Sequence, residues 1–243
     1  AVIGGGNVAM DAARSAVRCG AKEVHVIYRR RQEDMTALAS EIEAAVAEGI
    51  ELHLLQAPLR VEVDENNQCT AVWVKPQMTG PYKEGRPTPL DNPSKPEMRV
   101  ACDVVLNAVG QDVVSKPFEE AGIPAKRNIF IAGRDTHVEN MPGVFVGGDC
   151  ATGPATAIRA IAAGKVAAAN IDEHLGFHHE IRVDVEVPTP KLNNRPPHGR
   201  INTTEREAGE RKHDFEDIEV KENAIVLLED ALHRKRKPCM IGT

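Results

Sequence analysis

Ala1-Val2-Ile3-Gly4-Gly5-Gly6-Asn7-Val8-Ala9-Met10-Asp11-Ala12-Ala13 opens the chain, and the reading of this stretch decides the fold. Three apolar residues run into three glycines. Small residues then recur at Ala9, Ala12, Ala13 and Ala16 as far as Cys19, with Gly20 after them. The pattern is half a strand, a tight turn, and a helix that lies close on a sheet and stops at a glycine. Gly4, Gly6 and Ala9 hold the spacing of a dinucleotide loop. Gly4 makes the turn, Gly6 lets the backbone approach a pyrophosphate, and the small Ala9 lets helix and strand pack closely. The free amides at the helix start and the positive end of its dipole then face the phosphates. Gly4, Gly5, Gly6, Asn7 and Val8 are the candidate phosphate-cradling residues.

A glycine spacing alone is a weak signal, and an incidental turn is its alternative; the residues downstream argue for the nucleotide loop. Val24 to Tyr28 predicts a second strand. Gln32 to Glu48 predicts a second helix, with Met35, Leu38, Ile42, Ala45 and Val46 on one buried face. Gly49 ends it, and Ile50 to Leu55 predicts a third strand. The order β-α-β-α-β belongs to a parallel, doubly wound sheet, a Rossmann-like α/β domain.

The end of the second strand selects the nucleotide. A fold that prefers NAD places an Asp or Glu there to hold the ribose hydroxyls. This chain has Tyr28-Arg29-Arg30-Arg31. Guanidinium groups bind a 2′-phosphate with charge-assisted, fork-shaped hydrogen bonds, whereas a carboxylate would repel it. Arg29 and Arg30 are the candidates, and the expectation is NADPH; a solvated basic turn is the bland alternative.

Further on, Arg60–Asp64 and Cys69–Lys75 flank an Asn-containing turn, a predicted β-hairpin or meander layer. Residues 76–97 are rich in proline and predict a loop. Val100 to Val109 predicts a strand closed by Gly110. Residues 111–141 read as irregular, with a short strand at Ile129–Ile131. Gly143 to Asp149 predicts a strand, and Gly153-Pro154 opens an Ala-rich helix to about Leu175. Residues 181–200 read as an extended segment, and Glu222 to Arg234 as a last helix. Gly148-Asp149 and Ala155-Thr156-Ala157 form a second constellation. A strand-end Asp can accept hydrogen bonds from ligand hydroxyls, and a helix N-terminus can stabilise negative charge on a ring carbonyl. Both suit a flavin, but an Asp before a helix is also an ordinary cap.

Composition narrows the classes. The formal net charge of -6 over 243 residues argues against nucleic acid as the main partner. No apolar run approaches the ~20 residues that span a bilayer. The five cysteines are scattered, without a Cys-x-x-Cys pair. They read as reduced thiols of a cytoplasmic protein, most of them as small buried hydrophobes. No metal-ligand spacing and no nucleophile–base arrangement is found, and His178-His179 reads as a solvated pair. Ala1 is not a start Met and precedes only half a strand, so a longer parent chain is expected.

Taken together, these stretches resemble the small (beta) subunit of NADPH-dependent glutamate synthase and its relatives. Those relatives include the flavoprotein half of ferredoxin:NADP transhydrogenases and the electron-entry region of dihydropyrimidine dehydrogenase. The resemblance is carried by Gly4–Arg14, Val26-Ile27-Tyr28-Arg29-Arg30, Asn107-Ala108-Val109-Gly110-Gln111, Pro142–Asp149 and Gly153–Ile158. It implies that residues 1–110 are an NADPH domain and 111–178 the C-terminal part of an FAD-binding domain. Residues 179–243 would be an extended C-terminal segment with one helix. It also implies roles for Gly110 at the nucleotide site, Gly148 and Asp149 at the flavin ribityl chain, and Ala155, Thr156 and Ala157 at the pyrimidine edge. Hydride would pass between NADPH and FAD. Electrons would leave to an iron–sulfur partner, either a glutamate synthase large subunit or a ferredoxin-like protein. The family's FAD-pyrophosphate glycine loop and cluster cysteines do not occur in these residues, so the flavin site is expected to be incomplete in this chain. The C-terminal Arg234-Lys235-Arg236-Lys237-Pro238-Cys239 keeps only one cysteine of a possible pair. An NADPH-binding module without turnover is the alternative function. A dithiol reductase is a further one, against which the lack of a Cys-x-x-Cys pair counts.

Overall fold

Residues 1–83, 85–179 and 204–220 are described by the computed structural model. They fall into two compact units: residues 1–109 with 204–220, and residues 110–179. The extended segment and last helix expected over 181–200 and 222–234 lie outside the described residues.

The first unit is built on a parallel sheet. Its strands are β1 (Val2–Ile3), β2 (His25–Tyr28), β3 (Glu51–Leu54) and β8 (Leu106–Asn107), in the order β3-β2-β1-β8. Helices α1 (Asn7–Arg18) and α2 (Ala39–Ala47) cover one face. The other face carries an antiparallel layer of β4 (Gln56–Val63), β5 (Cys69–Lys83), β6 (Arg86–Asp91) and β7 (Met98–Ala101). Alternation along β2 shows why. Val26 packs with Val2, Ala9, Met10 and Ala13 under the helices, whereas Ile27 packs with Val72, Val74 and Val100 of the antiparallel layer. With both faces covered, a parallel strand is apolar at successive positions rather than alternating with polar ones.

Several elements differ from the sequence expectation, each for a physical reason. The second helix is shorter than Gln32–Glu48. Gln32–Asp34 form a single 3-10 turn, and α2 begins at Ala39. The amides of Thr36 and Ala37 are drawn instead to the Gly5 carbonyl, at 2.9 and 3.1 Å. Ile42 and Ala45 are buried as expected, but Leu38 and Val46 face solvent. The proline-rich stretch is not a loop: β5 continues to Lys83 and pairs with β6. Pro87 and Pro89 lie on an edge strand, where a missing N–H breaks no ladder. The strand expected over 100–109 is two, because the chain leaves the antiparallel layer after Ala101 and enters the parallel sheet at Leu106.

Gly4 sits at φ +150°, and a Cβ there would lie 2.4 Å from the Ala108 carbonyl oxygen. Backbone blocks it on the side of β8, so nothing flexible can yield. Gly4→Ala is therefore expected to destabilise the fold by about 2 kcal/mol, read as a lower urea midpoint. An unchanged midpoint would mean that the turn is not held as described.

The face of α1 and α2 away from the glycine loop is tied by charge. Glu48 is 2% exposed. It accepts hydrogen bonds from Arg14 (2.9 Å), Arg18 (2.7 Å) and Arg211 (2.9 Å), the last from α6 (Ala208–Arg211). Burial pushes its pKa up, but the arginines outweigh burial and hold the carboxyl at about 2. An ordinary glutamate titrates near 4.3. The resulting stabilisation is thus present above about pH 4.5 and lost as pH falls toward 2, on the order of 3 kcal/mol. Urea unfolding of the wild type and of Glu48→Gln at about pH 6 and about pH 3 measures it. Glu48→Gln should show the smaller acid-induced loss, and equal losses would contradict the assignment.

The second unit contains a hairpin of β9 (Ala125–Lys126) and β10 (Ile129–Phe130), with α3 (Lys116–Glu120), α4 (Asp149–Thr152) and α5 (Ala157–His174). Phe118 and Phe130 meet edge to face at 5.4 Å. The strand expected over Gly143–Asp149 is not formed. Only Phe145 finds a partner, in an isolated bridge with His137, and a strand needs a ladder. The cysteines are less buried than expected. Cys19 is exposed at the end of α1, and Cys69, Cys102 and Cys150 are half-buried; Cys239 lies outside the described residues. No helix among the described residues is long and apolar enough to cross a membrane.

Candidate functional site

The parallel sheet has one point where strand order reverses, at β1, flanked by β2 on one side and β8 on the other. Open α/β sheets bind ligands at such a point, beyond the carboxyl ends of the strands. Gly4, Gly5 and Gly6 occupy that position here. A Cβ on Gly5 would lie 2.5 Å from the Tyr28 ring, so the loop can seat on β2 only without a side chain. At Gly6 a Cβ would lie 3.2 Å from the Thr36 hydroxyl, a tight contact that a glycine avoids, and the residue is half-buried. Ala9 is fully buried, in the small-residue role that helix–strand contact requires.

Gly6 caps α1 without a side-chain hydrogen bond. The Gly6 carbonyl accepts from Ala9 and Met10, so the amides of Asn7 and Val8 at the helix start have no backbone partner among the described residues. Val8 is exposed. The Asn7 side chain faces the other way, its Oδ1 accepting from the Leu38 amide at 2.9 Å. Free amides at a helix N-terminus that follows a glycine are the donors that a pyrophosphate needs.

The three arginines after β2 divide into different roles. Arg31 is bound inward: it donates to Asp34 at 2.9 and 3.0 Å and to the Tyr82 hydroxyl at 3.1 Å. Its hydrogen bond holds the Asp34 carboxyl below the usual carboxylate range. Tyr28 donates to the Asp34 carbonyl at 2.7 Å. Asp34 is therefore neutralised as a ribose ligand and fixes the turn. Arg29 and Arg30 line an open groove of about 710 Å³ with Lys83, Arg86, Pro87, Thr88 and Pro89. Arg30 is oriented by one hydrogen bond from its Nε to the Pro87 carbonyl (2.9 Å). Among the described residues Arg29, Lys83 and Arg86 make no ion pair. Four cations around one groove, with no carboxylate among the lining residues, suit a dianionic group. The sequence reading missed Lys83 and Arg86. They arrive from the β5–β6 hairpin, which the proline content had concealed.

Gly110 lies three residues beyond β8, at φ +106°, where glycine is favoured. In the second unit, Gly148 caps α4 at φ +75° and Asp149 is the first residue inside that helix. The Asp149 side chain is exposed in the first turn of α4, whose N-cap Gly148 has no side chain to offer. Thr156 caps α5, again without a side-chain bond, and Ala155, Thr156 and Ala157 are exposed. Neighbouring Ile158 and Ile161 are exposed as well. His179 is not simply solvated: its Nδ1 lies 2.6 Å from Asp172.

A parallel sheet, a glycine loop at its switch point and a basic groove at the end of the next strand together define a dinucleotide-binding domain of the NAD(P)/FAD type. Comparison with known proteins agrees. Residues 1–164 match the model of the pyridine nucleotide-disulphide oxidoreductase family, and the chain belongs to that family. It is 40% identical over 176 residues to the beta subunit of the NADP(+)-dependent formate dehydrogenase of Moorella thermoacetica, covering 72% of this chain and 25% of that one. It is 34% identical over 177 residues to the small chain of the NADPH glutamate synthase of Escherichia coli, covering 70% and 37%. The chain thus matches about a quarter to a third of the length of these relatives. Among solved structures, thioredoxin reductase of Lactococcus lactis shares the fold, with a TM-score of 0.59 at 21% identity, over 72% of this chain and 52% of that one.

Proposed function

We propose that this chain is the NADPH-binding part of a flavoprotein oxidoreductase subunit. In this reading, hydride passes between NADPH and FAD, and electrons pass on to an iron–sulfur partner, a large subunit or a ferredoxin-like protein. The observation that carries it is the cationic groove of Arg29, Arg30, Lys83 and Arg86 at the end of β2, one strand from the glycine loop. When bound, the nicotinamide supplies the hydride and the flavin accepts it; the protein contributes orientation and electrostatics.

Each residue then has a task. Gly4, Gly5 and Gly6 leave room for the pyrophosphate, and the Asn7 and Val8 amides donate to it. Arg29 and Arg30 hold the 2′-phosphate, with Lys83 and Arg86 adding positive field. Gly110 is assigned to the nucleotide site. Gly148 and Asp149 are assigned to the flavin ribityl chain, and the open start of α5 at Ala155, Thr156 and Ala157 to the pyrimidine edge. No residue is assigned as acid, base or nucleophile. The names of both relatives, a beta subunit and a small chain, support a place within a multi-chain enzyme.

Titration with NADPH and NADH tests the nucleotide assignment, and equal affinities would remove it. A second reading is a nucleotide-holding module without its own turnover. Anaerobic addition of NADPH to the expected longer parent protein with its FAD bound separates the two readings. Bleaching of the flavin band on the turnover timescale supports the oxidoreductase, and an unchanged band supports the module.

A further inference from the structure

The parallel register of β2 and β3 brings together residues that lie far apart in the sequence. His25 stands opposite Glu51, and Ile27 opposite His53. Paired positions of neighbouring strands share a face, and so do alternate positions of one strand. His25, Glu51 and His53 therefore project from the same face, at the end of the strands where β2 and β3 begin. The nucleotide loop and Arg29 lie at the other end, about four residues along β2, roughly 13 Å away.

We propose that His25, His53 and Glu51 form a binding site for a divalent transition metal of the zinc type. His25 Nδ1 lies 3.0 Å from His53 Nε2 and 3.3 Å from a Glu51 carboxylate oxygen. His53 Nε2 lies 3.5 Å from the other Glu51 oxygen. A tetrahedral zinc ion with bonds of about 2.0–2.1 Å separates its ligand atoms by roughly 3.3–3.4 Å. The three donors already sit near those separations, aimed at one another. The two rings are held edge to face at 5.0 Å. Their side chains are only 16% and 20% exposed, whereas Glu51 is 65% exposed and leaves a path for the ion.

The surroundings fit as well. The other ring nitrogen of His25, Nε2, lies 3.8 Å from the Glu23 carboxylate. At that distance Glu23 is a nearby charge and not a hydrogen-bond partner; a carboxylate beside the second ring nitrogen is common at metal-binding histidines. Two neutral imidazoles, one bound carboxylate and one outer carboxylate balance a dication. Three protein ligands leave a fourth position for water or for an external group. Imidazole and carboxylate together favour zinc, nickel or copper over magnesium and calcium.

The test uses the full chain, freed of metal by a chelator and then titrated with zinc chloride in a calorimeter. One equivalent should bind. His25→Ala/His53→Ala should weaken that binding by at least ~100-fold, while NADPH affinity, which reports on the fold, stays the same. His178→Ala/His179→Ala should leave zinc binding unchanged. Cobalt(II) titration gives a second readout: d–d bands of a tetrahedral site without the near-ultraviolet charge-transfer band of thiolate ligands. Should the double variant fail to fold, His53→Gln and Glu51→Gln are read by the cobalt spectrum instead. Absence of a stoichiometric zinc site would overturn the proposal, and so would zinc or cobalt binding that survives these substitutions.

Discussion

Glu48→Ala is expected to destabilise the chain by about 4 kcal/mol, seen as a large drop in the urea midpoint. The side chain is fully removed from solvent and is shared by three arginines whose own side chains are 9%, 7% and 5% exposed. Forming such a cluster from water gains little, because desolvation offsets most of the attraction. Breaking it is another matter. Without Glu48, Arg14, Arg18 and Arg211 would face one another in a dry space, with Glu41 and Glu205 left to serve Arg14 and Arg211 from the periphery. Arg211→Ala should have the smaller effect, roughly 1–2 kcal/mol, since the carboxylate keeps two partners. A loss below about 1 kcal/mol for Glu48→Ala would show that solvent reaches the cluster.

Arg29→Ala/Arg30→Ala is expected to raise the dissociation constant for NADPH about 100-fold, or about tenfold for each charge-assisted contact to phosphate. NADH has no 2′-phosphate, so its affinity should change little. Raising salt should narrow the difference, because Arg29 is exposed, Arg30 is half-buried and the groove is open. Lys83→Ala and Arg86→Ala should act in the same direction with smaller effect. Arg31→Ala should behave differently. Arg31 holds Asp34 and the turn rather than the groove, so its loss should weaken both nucleotides alike. If Arg31→Ala instead removed NADPH selectivity, the division of roles among the three arginines would be wrong.

What was legible in the sequence was local. Gly4, Gly6 and Ala9 declare themselves because a turn and a helix start are set by residues within one turn of each other. Arg29 and Arg30 were readable for the same reason, since they directly follow the strand that positions them. Lys83 and Arg86 are hidden, because a proline-rich stretch has the composition of a loop even where an edge strand tolerates it. The break at residues 35–38 was hidden as well: helical periodicity says nothing about the Gly5 carbonyl competing for the amides of Thr36 and Ala37. Glu48 lies 34 residues from Arg14 and 163 from Arg211, so no spacing rule could join them. His25 and His53 meet only through the register of two parallel strands, a property of the folded sheet alone. The apolar run at Gly143–Val146 has the composition of a strand, yet only Phe145 pairs, because strand formation depends on a neighbour as much as on the residues themselves.

In the proposed function, the groove at the end of β2 reads a 2′-phosphate. Nicotinamide fluorescence gives the dissociation constants of NADPH and NADH for the wild type and for Arg29→Ala/Arg30→Ala. The wild type should prefer NADPH by about 100-fold or more, and the variant should bind the two within a few-fold of each other. Equal affinities in the wild type, or a preference that survives in the variant, would contradict it.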